Sequence, residues 1–134
     1  METLKENEVL VLRTCNKDFT SQNNFTYPDK GLVKCDDFKP TKECGNGLHG
    51  WLWGQGDYMD YQYYPNCLFL IIKVKLENLI DLDDKVKFSK GEVVLATENA
   101  HQATDYILKY KPDAICNFRI ASGGNKCMLQ GGNF

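Results

Sequence analysis

Residues 67–76 read CLFLIIKVKL, and no other stretch limits the fold as strongly. Its first half is apolar at every position, and in its second half Lys73 and Lys75 alternate with apolar neighbours. A period of two is strand periodicity, and a run without a polar side is a strand covered on both faces. Such a strand is central and needs partners. Glu8–Cys15 (EVLVLRTC) reads as a second central strand. Shorter strands are expected at Phe25–Tyr27, Leu32–Cys35, Leu48–Trp53, Lys85–Phe88, Glu92–Thr97 and Ala114–Ile120. Pro28-Asp29-Lys30-Gly31 is turn chemistry that would fold 32–35 back as a hairpin. Ser89-Lys90-Gly91 would join the pair 85–88 and 92–97. One helix is expected, from about Ala100 to Tyr110. Asn99 is its cap, Gln102 stands in the capping-box position, Ala103, Tyr106, Ile107 and Tyr110 form its apolar stripe, and Pro112 ends it. The class is therefore α+β, with a small mixed or antiparallel sheet of about six to seven strands and one main helix near the C-terminus.

At 134 residues the chain suits one domain. Residues 1–121 read as that domain and 122–134, SGGNKCMLQGGNF, as a Gly- and Asn-rich tail. A formal charge of -2 excludes strong non-specific binding to nucleic acid. The start, METLKENEVL, has no secretory apolar core, and no run approaches the ~20 apolar residues of a membrane span. The expectation is a cytoplasmic protein without membrane contact. Six cysteines (15, 35, 44, 67, 116 and 127) read as free thiols. A zinc set of Cys15, Cys35, Cys44 and His49 lacks the short paired spacings of structural sites. No metal and no cofactor are expected.

The candidate site is Glu43–Gly54, ECGNGLHGWLWG. Its glycines suggest a bend with positive φ at Gly47, feeding a strand on which His49, Trp51 and Trp53 share one face. Tyr58 and Tyr61 follow in a Tyr-rich segment. Trp and Tyr rings stack on flat ligands, and a His of near-neutral pKa orients a ligand or acts as a base. The competing readings are a histidine that locks the glycine turn and a satellite aromatic core. Arginine occurs only at Arg13 and Arg119. Those two, with Lys73, are the cations available to a phosphate-like group. No nucleophile stands at a diagnostic spacing from His49, so no catalytic residue is assigned. The ligand expected of such a set is a nucleotide-like small molecule. A host protein is the other partner considered, and a homo-oligomer would bury exposed aromatics.

VLRTC, the Pro-x-x-Gly turn, CGNGLHG, the strand ending in KVKL, and KVKF ahead of VVL together resemble an uncharacterised family of bacteriophages and prophages, over roughly residues 8–121. Its module often precedes short Gly-, Thr- and Asn-rich repeats, and ASGGNKCMLQGGNF is similar to one opening unit. The resemblance implies a phage-type setting and a compact α+β module, and no known reaction; in that setting, in the host cytoplasm, the use expected of the site is to bind and sequester a host signalling nucleotide as counter-defence, without catalysis. The order Arg13, His49, Glu92 is fainter and is similar to the ADP-ribosyltransferase-like superfamily. That likeness implies a transferase using a nicotinamide dinucleotide. A structural or protein-interaction module is the third reading.

Overall fold

The computed structural model describes residues 4–21, 25–43, 46–54, 67–82 and 85–114. Those residues form a seven-stranded antiparallel sheet and one helix. The strands are β1 (Glu8–Asn16), β2 (Gly31–Lys34), β3 (Leu48–Leu52), β4 (Cys67–Lys75), β5 (Leu79–Asp81), β6 (Val86–Phe88) and β7 (Lys90–Thr97), and the helix is α1 (Ala100–Tyr110). The sheet order is β2-β7-β4-β1-β3-β6-β5. The α+β class read from the sequence is the class observed. The two most apolar stretches lie side by side near the middle, paired from Glu8 with Lys75 to Asn16 with Cys67. Central strands have both faces covered, which is why neither stretch has a polar side.

The sheet is not flat. β6 ends at Phe88 and β7 begins at Lys90, so only Ser89 separates strands that occupy the sixth and second places in the order. The sheet must curl until those places meet. β4 and β5 run on in the same way through a single 3-10 turn, Leu76–Asn78. The hairpin expected around 89–91 is therefore absent. β6 and β7 are one bent strand antiparallel to β4 and β5, and the chain reverses near 82–85, where Leu82 N–H donates to the Lys85 carbonyl (2.9 Å). Ser89 ties the corner: its N–H donates to Asn78 O (3.4 Å) and its carbonyl accepts from Cys35 N (3.1 Å). Strands that switch partners at a bend are how small sheets close on themselves.

Curling creates two unlike faces. The inner one gathers Val9, Val11, Cys15, Leu70, Ile72 and Phe88, with Tyr27 and Val33. The outer one gathers Leu10, Leu12, Trp51, Phe69 and Ile71 beneath Ala103 and Ile107 of α1. Two further expectations are corrected. β2 pairs with β7, not with 25–27, where only the isolated bridge Thr20–Thr26 forms. Residues 79–81, where no strand is expected, are a strand. The strand expected through 115–120 and the 122–134 tail lie outside the described residues.

The helix occupies its expected span. Asn99 Oδ1 accepts from Gln102 N–H (3.1 Å). The reciprocal bond passes through a third residue: Asn99 N–H donates to Thr97 Oγ1 (3.0 Å), which donates to Gln102 Oε1 (2.6 Å). Asn99→Ala is expected to cost about 1 kcal/mol, read from the urea midpoint. An unchanged midpoint would mean that tertiary packing alone holds this end. No helix among the described residues is long and apolar enough to cross a membrane.

Candidate functional site

The Glu43–Gly54 segment supplies β3, and its glycines act differently from expectation. Positive φ falls on Asn46 (53°) before the strand, and on Trp53 (55°) and Gly54 (69°) after it. Gly47 is needed for space: a Cβ there would lie 2.6 Å from Lys87 Cγ and 3.2 Å from Phe38 Cδ1. Along β3, Leu48 and Leu52 face the inner core and Trp51 the outer one, as the alternation required. His49 and Trp51 are 1% and 3% exposed. The stacking surface read from the sequence needs these rings beside an open hollow, and instead they are packed into the sheet. Among the described residues a cavity of about 280 Å³ is bordered by Ser21, Phe25, Tyr27, Cys35, Asp36, Asp37, Gly47 and Leu48. None of the expected site residues lines it.

The structure does bring Arg13 and His49 together. Arg13 lies on the inner side of β1 and is 2% exposed. Its Nε donates to the Thr14 carbonyl (2.9 Å), its Nη1 to the His49 carbonyl (3.3 Å), and the guanidinium stands 5.4 Å from the Tyr27 ring centroid. A buried charge persists only with such bonds, and the aromatic face adds attraction. Burial raises the Tyr27 hydroxyl above its ordinary pKa and pushes the Cys15 thiol up to about 12, with the Arg13 charge opposing both. Cys15 is thus a protonated core thiol rather than a nucleophile. Burial pulls His49 down to about 3, helped by the positive charges of Arg13, Lys85 and Lys87. A ring held that far below neutrality is a poor general base.

Lys87 is the residue that sequence reasoning missed. It is fully buried opposite His49. Its Nζ donates to the Glu43 carbonyl (2.9 Å) and to Thr41 Oγ1 (3.4 Å), 5.8 Å from the Phe38 ring centroid. Phe38, Thr41 and Glu43 thus stand over the lysine. The available signal was Gly47, whose missing side chain makes room for the lysine stem.

The remaining candidates are scattered. Trp53 is half-buried at the end of β3, with Lys111 Nζ 5.8 Å from its ring centroid. Lys73 forms an ion pair with Glu92 (3.3 Å). Glu92 lies opposite Lys73, which lies opposite Leu10 of the outer face. Arg13 alternates with Val11 and Cys15 of the inner face. The sheet itself therefore separates Glu92 from Arg13, and the transferase arrangement is not formed. Tyr58, Tyr61 and Arg119 lie outside the described residues. Cys15, Cys35 and Cys67 are free thiols. Among the described residues no group of three or more His, Cys, Asp or Glu could hold a metal ion.

The chain is 28% identical over 123 residues to an ice nucleation protein of Pantoea ananas, a match covering 90% of this chain and 9% of that protein. An ice nucleation protein of Pseudomonas fluorescens is 38% identical over 93 residues, 68% of this chain and 8% of that one. One of Xanthomonas campestris pv. translucens is 30% identical over 107 residues, 78% and 7%. The chain thus spans less than about a tenth of the length of these curated relatives. No solved structure matches it. These bacterial relatives overturn the resemblance to a phage and prophage family. The small-ligand binder and its counter-defence role fall with it, and neither the transferase nor the interaction-module alternative fits the relatives better. Cytoplasmic placement, expected from the start METLKENEVL and from the phage-type resemblance, is corrected too, since the relatives are ice nucleation proteins. A match to the family described as Domain of unknown function (DUF7666) runs over residues 9–105, from β1 into α1, and the chain belongs to that family.

Proposed function

We infer that this chain is a compact module of an ice-nucleation-type protein, one that supports nucleation without itself templating ice. The observation that carries this reading is the coverage: 90% of this chain corresponds to 9% of a protein named for ice nucleation. A template for a crystal must be flat and repeat at fixed spacing over a large area, the kind of surface that stacked repeats build. This fold offers the opposite. Its sheet is curled around one core, α1 covers part of the outer face, and residues 38–43 cover Lys87.

Droplet freezing tests the reading. Four samples are compared: this chain alone, the Pantoea ananas protein, that protein without the matched residues, and that protein carrying this chain in their place. The chain alone is expected to freeze with the buffer blank. Deletion is expected to lower the freezing temperature of the relative, and the graft to restore it. Freezing of the isolated chain near the relative's temperature would make it a template and overturn the reading. So would a graft that behaves like the deletion.

A further inference from the structure

The cavity bordered by Ser21, Tyr27, Asp36 and Asp37 suits a ligand rich in donors, and we propose that it binds an alkylammonium group, carried by a free amine or by a lysine side chain. Its volume, about 280 Å³, is near the lower end of small-ligand sites, about 300 Å³. Two buried residues with hydroxyls border it, Ser21 (7% exposed) and Tyr27 (3% exposed). Their backbone N–H groups are paired, Ser21 N with Phe25 O (2.9 Å) and Tyr27 N with Phe19 O (2.8 Å). Among the described residues neither hydroxyl has a hydrogen-bond partner. Buried hydroxyls are normally paired, so two unpaired ones around one hollow point to a ligand. The carboxylates of Asp36 and Asp37 border the same cavity, are exposed, and form no ion pair among the described residues.

An ammonium carries three donors and no acceptor, so it needs oxygens around it. The cavity supplies two carboxylates and two hydroxyls, and among the described residues no lysine or arginine borders it. Lys34 and Lys39 flank the aspartates in sequence, but both are exposed and pair with neither. Bonds from an ammonium to carboxylates are charge-assisted and about twice as strong as neutral ones. Burial first, and then the Asp37 charge, raise the Cys35 thiol in the cavity wall, so that charge is felt inside. The Phe25 and Tyr27 rings, edge to face at 4.9 Å, complete the wall, and a cation is attracted to an aromatic face. Two buried cations stand behind the wall and oppose a third. Arg13 lies 5.4 Å from the Tyr27 ring centroid, and Lys87 lies behind Gly47. Both donate to backbone carbonyls, whereas the carboxylates border the cavity itself, and the nearer charge prevails. An anion would meet those carboxylates first. The site is separate from the β3 rings and takes a cation, where the stacking surface read from the sequence would take a phosphate.

Proton–nitrogen correlation spectra of the full chain, titrated at constant ionic strength, test this. The probes are butylammonium chloride, Nα-acetyl-lysine methylamide and, as the neutral control, butanol. Saturable shifts of the Ser21, Cys35 and Leu48 amides are expected with the amines and not with butanol. A response to only one of the two amines supports the proposal and names the source of the group. Asp36→Asn with Asp37→Asn is expected to weaken binding about tenfold or more, through the loss of charge-assisted bonds. Tyr27→Phe keeps the ring and is expected to weaken it about threefold, through the loss of one neutral acceptor. Signals far from the cavity that stay in place confirm that each variant is folded. No shift with either amine overturns the proposal. Equal shifts with butanol, or a folded double variant that binds undiminished, overturn it as well. Droplet freezing plays no part in this readout, so the ammonium site and the nucleation reading fail separately.

Discussion

Gly50→Ala is expected to cost about 3 kcal/mol of folding stability, the upper range for forcing an atom into a packed core. The position shows no positive φ; the demand is for space. A Cβ at Gly50 would overlap Val11 Cγ1 and stand 2.7 Å from the Leu12 carbonyl oxygen. Neither neighbour can give way. Val11 is fully buried, and Leu12 lies in the middle of β1, between β3 and β4. The strain must then lift β3 from β1, breaking the register of Val11 with Leu52 and Leu12 with Trp51, and drawing the His49 carbonyl away from Arg13. Gly31→Ala is the reference. Gly31 sits at φ +97° with nothing within 4 Å of an added Cβ, so its cost is conformational alone, about 1 kcal/mol. Urea unfolding of the two variants separates the mechanisms. If Gly50→Ala loses no more than Gly31→Ala, β3 does not cross β1 as closely as described.

The same contrast shows which features could be read from residue order. Local pattern was enough for β1, β4 and α1, because apolar runs and a helix cap depend on neighbours in sequence. Pattern also placed Leu48 and Trp51 on opposite faces of β3. What failed was pairing. Ser89-Lys90-Gly91 has the composition of a hairpin turn, but here it is the corner of a continuous strand, since β4 and β5 lie alongside both halves. β5 escaped notice because three residues carry too little periodicity to stand out. Gly31 favoured a hairpin with 25–27, whereas β7 offered β2 a longer partner. At the candidate site, glycine, histidine and tryptophan were found in the right segment, and their exposure was misjudged. Exposure at β3 depends on the loop that returns over Lys87 and on α1, neither of which is adjacent in sequence. Arg13 was read as a cation available to a ligand, and Lys87 was passed over, for the same reason.

His49, buried beside those cations, is expected to dominate the acid response of the fold. Burial first, then Arg13, Lys85 and Lys87, lower its pKa from 6.5 to about 3. In the unfolded chain the ring takes up a proton below about pH 6.5, whereas in the folded chain it stays neutral until about pH 3. The unfolded state therefore binds more protons throughout that interval, and stability falls as the pH is lowered through it. The contribution is intact above pH 6.5 and is lost progressively toward pH 3. At 1.36 kcal/mol per pKa unit the full loss is on the order of 5 kcal/mol, a large share of what a small domain has. Urea midpoints between about pH 7 and about pH 4.5 catch much of this loss before most carboxylates titrate. His49→Gln removes the titration and keeps a polar side chain. It is expected to be less stable than the wild type near neutrality, yet to lose much less on acidification, so that the two curves converge. Parallel curves would mean that His49 protonates as readily folded as unfolded, which a ring enclosed beside Arg13 and Lys87 could not do.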